Sequence, residues 1–219
     1  MPGTQAGTSH AVEEYLEAIH KCGASASGVS TTRLAEQLRV TPASVTGMLR
    51  RLSRDGLVAH RRYGEIALTA EGDRRAHELI KRHRLAERLL TDVLKVPLDE
   101  AHEEACRLEH ALSPELETRL EQALGSPAAC PHGHPVDVAA RDRTRGLPEV
   151  PVGRTVTIAR LEDERPEIVR YLAERKLLPG ARVTVQRHEA LGTVLVVEVG
   201  GNQHDLSSTL AAGIRVERW

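Results

Sequence analysis

Thr41-Pro42 constrains this chain most, because it sits between two short amphipathic runs and forces them to be separate helices. Threonine accepts hydrogen bonds from the free amides of a new helix, and proline fits only its first turn, so one helix ends and the next begins within a few residues. The first run carries Leu34, Ala35 and Leu38 behind a predicted N-cap at Ser30, and the second carries Val45, Met48, Leu49 and Leu52. Val12, Tyr15, Leu16 and Ile19 predict a preceding helix over about 9–21. After Asp55-Gly56, two short β-prone runs, 57–60 and 65–69, are joined by the basic turn Arg61-Arg62-Tyr63-Gly64. Helix, turn, helix and a hairpin with a basic tip is the winged helix-turn-helix pattern.

From Thr69 the pattern is helical again. Thr69-Ala70-Glu71-Gly72 opens a long helix to about Leu94, Leu98-Asp99 a second to about Ala111, and Ser113-Pro114 a third to about Leu124. Residues 125–147 lack periodicity and are rich in Pro, Gly and charge, as a linker is. Beyond them, 155–159, 182–186, 193–199 and 214–218 alternate or run apolar as strands do, with one helical segment at 166–175. The expected fold class is α+β: a winged helix-turn-helix over 1–72, an all-α domain over 73–128, a linker over 129–149 and a small β-barrel over 150–219.

Charge divides along the same lines. The net charge of -1 conceals +4 over 30–75 and -4 over 76–130, the pattern of a polyanion-binding unit joined to one that holds cations. No stretch approaches the roughly 20 apolar residues of a membrane helix, and residues 1–10 lack the apolar centre of a secretion signal. Three cysteines at irregular spacing, Cys22, Cys106 and Cys130, argue against a disulfide framework, so a cytoplasmic location is expected.

The string His102-Glu-Glu-Ala-Cys106-Arg-Leu-Glu109-His110 places four metal-ligating side chains on one helical stripe. Taken alone it fits either a metal site or a solvated polar face. His83 and Glu87 repeat the pattern at i, i+4 on the preceding helix, and Glu14 and Glu17 at i, i+3 on the first. Three such sets on three helices favour metal. Cys130-Pro-His132-Gly-His134-Pro, with a thiol and two imidazoles within five residues, could pass for a further ligand cluster. No phosphate loop or Ser/His/Asp grouping is present, so an enzyme is not expected.

The strings around His83–Glu87 and His102–His110 resemble those of the diphtheria toxin repressor family of iron- and manganese-dependent transcriptional repressors, and the likeness covers almost the whole chain. The resemblance implies an SH3-like C-terminal domain, a helical domain that binds metal and dimerises, and two metal sites per subunit for Mn²⁺ or Fe²⁺. The primary site would use Cys106, Glu109 and His110 with Glu14 and Glu17; the ancillary site would use His83, Glu87 and His102, completed by Glu164 and Glu167 if a one-residue shift is allowed. The iron-responsive branch places methionine at the position of Glu14, and the manganese branch places a glutamate at that of Cys106, so this chain is a hybrid. Carboxylate at Glu14 hardens the site toward Mn²⁺ and Fe²⁺, while the thiolate favours softer ions. For Cys130-Pro-His132-Gly-His134-Pro the resemblance implies a chain-turning element instead of a ligand cluster.

The resemblance also makes 42–54 a DNA-recognition helix. Thr41, Ala43, Ser44, Thr46 and Gly47 are small enough to approach thymine methyls and phosphates, and Arg50, Arg51, Arg61 and Arg62 suit backbone phosphates. The expected protein is a homodimeric repressor of metal-uptake genes on a palindromic double-stranded operator. Its rivals are a mononuclear metalloenzyme using Cys106, Glu109 and His110, and a metal-independent winged-helix protein.

Overall fold

The computed structural model describes residues 10–23, 29–60, 65–189 and 193–219, and divides into two compact units, Met1–Arg82 and His83–Trp219. In the first, α1 (His10–Gly23) buries Val12, Tyr15, Leu16, Ile19 and Cys22 on one stripe. Ser30 accepts the Arg33 amide and starts α2 (Thr31–Leu38), which Arg39 ends in the left-handed conformation. Thr41 then accepts the Ser44 amide at the head of α3 (Pro42–Arg54), with Pro42 in its first turn as the sequence predicts. Strands β1 (Val58–His60) and β2 (Ile66–Leu68) pair antiparallel, and Val29 bridges to Ile66. The basic turn with Arg61, Arg62 and Tyr63 lies outside the described residues.

Helix α4 (Ala70–Arg88) starts in the first unit and ends in the second. Its Gly72 lies against the hairpin so closely that a Cβ there would stand 2.0 Å from the Leu57 carbonyl oxygen. The long helix expected to reach Leu94 stays α-helical only to Arg88, then widens into a π turn over Leu89–Val93. Helix α5 (Leu98–Leu108) runs into a 3-10 turn, Glu109–Ala111, and α6 (Pro114–Ala123) follows behind a Ser113 cap. Leu85, Ala86, Leu90, Ala105, Leu112 and Leu120 form their core, which Val136 joins.

The SH3-like domain is one antiparallel six-stranded sheet. Strand β3 (Arg145–Gly146) lies at one edge, then β8 (Ile214–Val216), β4 (Thr155–Leu161), β5 (Arg182–His188), β6 (Val194–Val199) and β7 (Asn202–Ser207). Helices α7 (Pro166–Glu174) and α8 (Ser208–Ala212) pack on it; β3, β7 and α8 were not read from sequence.

Candidate metal centre

Four segments of the second unit converge on one polar cluster in an otherwise apolar interior. The C-terminal turns of α4 supply His83 and Glu87 at i, i+4; α5 and its 3-10 extension supply His102, Cys106, Glu109 and His110. The turn at 130–134 adds Cys130, His132 and His134, and the segment after β4 adds Glu164. Gly133 makes that turn possible. Its φ is +92°, and a Cβ would meet the Ala159 oxygen at 2.0 Å. Backbone bonds lock it, with Leu161 donating to the His132 carbonyl at 2.9 Å. Arg88 Nε donates to the Ala129 carbonyl at 2.7 Å, and Arg84 donates to that of Pro135.

Glu87 is the hub, wholly buried, and its Oε1 faces three imidazoles: His132 Nδ1 at 3.0 Å, His83 Nε2 at 3.2 Å and His102 Nδ1 at 3.5 Å. His83 Nδ1 meets Glu109 Oε2 at 2.6 Å, and Glu109 Oε1 stands 3.2 Å from His110 Nε2. Glu164 Oε2 approaches His102 Nδ1 at 2.8 Å, and its Oε1 approaches His134 Nε2 at 3.2 Å. Cys106 Sγ lies 3.8 Å from His102 Nε2 and 4.0 Å from His83 Nδ1.

Three carboxylates in such a place need compensating positive charge. Burial opposes ionisation of Glu87 and Glu164, yet His102 with His132 and His83 at the first, and His102 with His134 at the second, hold both well below the usual carboxylate range. Burial opposes charge on His83 and His102 too, but Cys106 with Glu109 and Glu87 holds His83 well above 6.5, and Cys106 with Glu164 and Glu87 lifts His102 to about 11. Burial together with Glu87 and Glu164 pushes the Cys130 thiol well up.

His83 Nε2 and His102 Nδ1 stand 3.2 Å apart, each with a carboxylate oxygen beside it, Glu87 Oε1 and Glu164 Oε2. One detail fits a cation better than protons alone. Among the described residues, Glu87 Oε2 and His132 Nε2 are buried polar atoms without a hydrogen-bonding partner. Ligand atoms of His83, Glu87, His102 and Glu164 lie within 4.8 Å of one another, as do those of Glu87, Cys130, His132 and Glu164, and those of His83, His102 and Cys106.

Four of the five residues expected at the ancillary site are thus together. Glu167 is not: it is exposed, 3.7 Å from Arg165, because α7 turns it outward. Of the residues expected at the primary site, Glu109 lies 3.2 Å from His110 and 2.6 Å from His83, while Cys106 groups with His83 and His102. Glu14 and Glu17 belong to the first unit, beside His10 at 3.1 Å and Lys21 at 2.8 Å. Sequence reasoning set Cys130, His132 and His134 aside as a turn. The string does turn the chain, but it also puts His132 against Glu87; a thiol and two imidazoles within five residues were the available signal.

The expected DNA-contacting residues Thr41, Ala43, Ser44, Thr46, Gly47, Arg50 and Arg51 are all exposed on α3 or its cap. Local bonds engage the hydroxyls: Thr41 Oγ1 and Ser44 Oγ are 2.9 Å apart, and Thr46 donates to the Pro42 carbonyl at 2.9 Å. Arg61 and Arg62 lie outside the described residues.

The chain is 32% identical to the iron-dependent repressor IdeR of Mycobacterium leprae over 94% of its own length and 96% of the relative's. It belongs to the iron-dependent repressor family. Residues 7–66 match the family profile described as the iron dependent repressor N-terminal DNA binding domain, 69–137 its metal binding and dimerisation domain, and 145–218 the FeoA domain. The diphtheria toxin repressor of Corynebacterium diphtheriae is 34% identical over 65% of this chain and 60% of that one. A solved manganese-dependent transcriptional repressor in complex with manganese is 33% identical, with a TM-score of 0.87 over 95% of this chain and 100% of the other. ScaR with bound Cd²⁺ is 26% identical, with a TM-score of 0.82 over 95% of this chain and 99% of the other. These repressor-family relatives are regulators of transcription, and among the described residues no helix is long and apolar enough to cross a membrane.

Proposed function

We propose that this repressor-family chain binds a palindromic operator as a homodimer when loaded with Fe²⁺ or Mn²⁺, and that it has no catalytic role. The observation that carries the reading is the buried cluster around Glu87, whose orphaned carboxylate oxygen and imidazole nitrogen offer lone pairs. His83, Glu87, His102 and Glu164 would hold one ion, with His132 and Cys130 beside it. Cys106, Glu109 and His110 would hold a second, with Glu14 and Glu17 as the donors from α1. A bound divalent ion supplies the positive charge that imidazolium protons otherwise provide. Metal binding would raise the population of the DNA-competent conformer, so metal and DNA affinity would be linked.

On α3 and its cap, the small exposed residues Thr41, Ala43, Ser44, Thr46 and Gly47 suit close approach to thymine methyls and phosphates, and Arg50 and Arg51, with Arg61 and Arg62 of the basic turn in the sequence, suit phosphate neutralisation. With its hydroxyls turned to local partners, this helix fits shape and phosphate readout better than dense base-edge bonding.

The test uses a duplex selected from random sequence by the Mn²⁺-loaded protein. Glu109→Ala and His110→Ala should each remove Mn²⁺-dependent binding, measured by fluorescence anisotropy, while leaving the circular dichroism of the folded chain. A wild-type response in both variants overturns the assignment.

A further inference from the structure

A second set of metal-ligating side chains lies wholly within the first unit. His20 stands in the last turn of α1, and Asp73 and His77 face it from α4 at i, i+4. His20 Nδ1 is 3.0 Å from Asp73 Oδ1, and His77 Nε2 is 3.5 Å from Asp73 Oδ2. One ligand atom from each lies within 4.8 Å of the others, and the imidazole rings meet edge to face with centroids 4.7 Å apart.

Hydrogen bonding accounts for the first contact but poorly for the second, which is long for N–H···O. The second matches the spacing of two donors around one ion. With bonds of about 2.0–2.2 Å, tetrahedral donors sit roughly 3.3–3.6 Å from one another. The neighbouring cations are engaged elsewhere: Arg74 pairs with Glu71 and Glu78, and Arg75 with Glu71. The three side chains are partly exposed, with 25% of His20, 47% of Asp73 and 28% of His77 open to solvent, which leaves a path in and room for water ligands.

We propose that His20, Asp73 and His77 form a separate metal site of the first unit for a borderline divalent ion such as Zn²⁺, with water completing the coordination. Two imidazoles and one carboxylate suit Zn²⁺ better than Mn²⁺, and both imidazoles must give up any proton at the ligating nitrogen. The site would tie the end of α1 to α4. His20 lies one turn from Glu17, so an ion here stiffens the helix that carries Glu14 and Glu17. The site does not depend on the centre in the second unit.

Zn²⁺ equivalents per chain, counted by equilibrium dialysis and elemental analysis of the full-length protein, test it. His20→Gln and His77→Gln should each bind one equivalent fewer than wild type at the same free Zn²⁺, with unchanged circular dichroism. His77→Cys, which restores a donor, should recover that equivalent. Equal stoichiometry in wild type, H20Q and H77Q overturns the proposal, as does failure of H77C to restore the lost ion.

Discussion

At the scale of single residues, the proposed function makes metal choice turn on Cys106 and Glu14. Burial opposes ionisation of the Cys106 thiol, but His102 and His83 lower its pKa, which favours a thiolate donor. Glu14 offers oxygen where a thioether would be softer. Glu14→Met should therefore weaken the Mn²⁺ response more than the Fe²⁺ response, and Cys106→Glu should do the reverse, because Mn²⁺ loses most where donors are soft. Each should move the ratio of the two responses on the order of tenfold, about 1.4 kcal/mol. Anaerobic anisotropy titrations with both ions on the selected duplex would read it. Movement in the same direction, or none, means that the two residues do not share a site. The spacing of Cys106, Glu109 and His110 was legible in the sequence, although α5 tightens into a 3-10 turn over Glu109–Ala111. The 2.6 Å contact between His83 and Glu109 was not, since it joins two helices whose packing no local pattern encodes.

At the scale of elements, the turn at 130–134 holds His132 in place through one glycine. Gly133→Ala would require a left-handed residue and displacement of the β4 backbone, at a cost of roughly 1–3 kcal/mol, or several degrees in Tm. It should also weaken Mn²⁺ binding, because His132 moves with the turn. Calorimetry and a Mn²⁺ titration check this, and an unchanged Tm with unchanged affinity would refute it. This turn shows why the linker was only half legible: Pro and Gly announced a reversal, but what it packs on is a matter of tertiary structure. Helices α2 and α3 were legible because Ser30, Thr41 and Pro42 act on their nearest amides. Strand β7 was not, since Asn202-Gln-His-Asp-Leu-Ser buries only Leu206 and is a strand because β6 pairs with it along its length. The π turn after Arg88 is likewise invisible to a hydrophobic period, which continues through Leu89 and Leu90.

At the scale of the whole molecule, the buried cluster sets how stability depends on pH, and its sign differs with and without metal. In the metal-free chain, His102 has a folded pKa of about 11 against 6.5 unfolded, and His83 shifts the same way. Their contribution is fully present below 6.5 and is lost as pH rises toward 11. Cys106 shifts down, so the folded state gives up one thiol proton early, but two imidazoles gained against one thiol lost still leave the folded state holding more protons. Glu87 and Glu164 stabilise above 4.5 and lose that contribution as pH falls below it. Metal-free stability should thus peak between 4.5 and 6.5, then decline by about 1.4 kcal/mol per pH unit for a net difference of one proton, roughly 2–4 °C in Tm per kcal/mol. An ion reverses the trend, because imidazoles ligate only when deprotonated and affinity rises as protons leave. Calorimetry at pH 6, 7, 8 and 9, in chelator and in excess Mn²⁺, should give a Tm that falls with pH in the first series and rises from 6 to 8 in the second. A metal-free Tm that climbs from 6.5 to 9 would mean that the imidazoles are neutral in the folded chain, and that protons do not stand in for the ion.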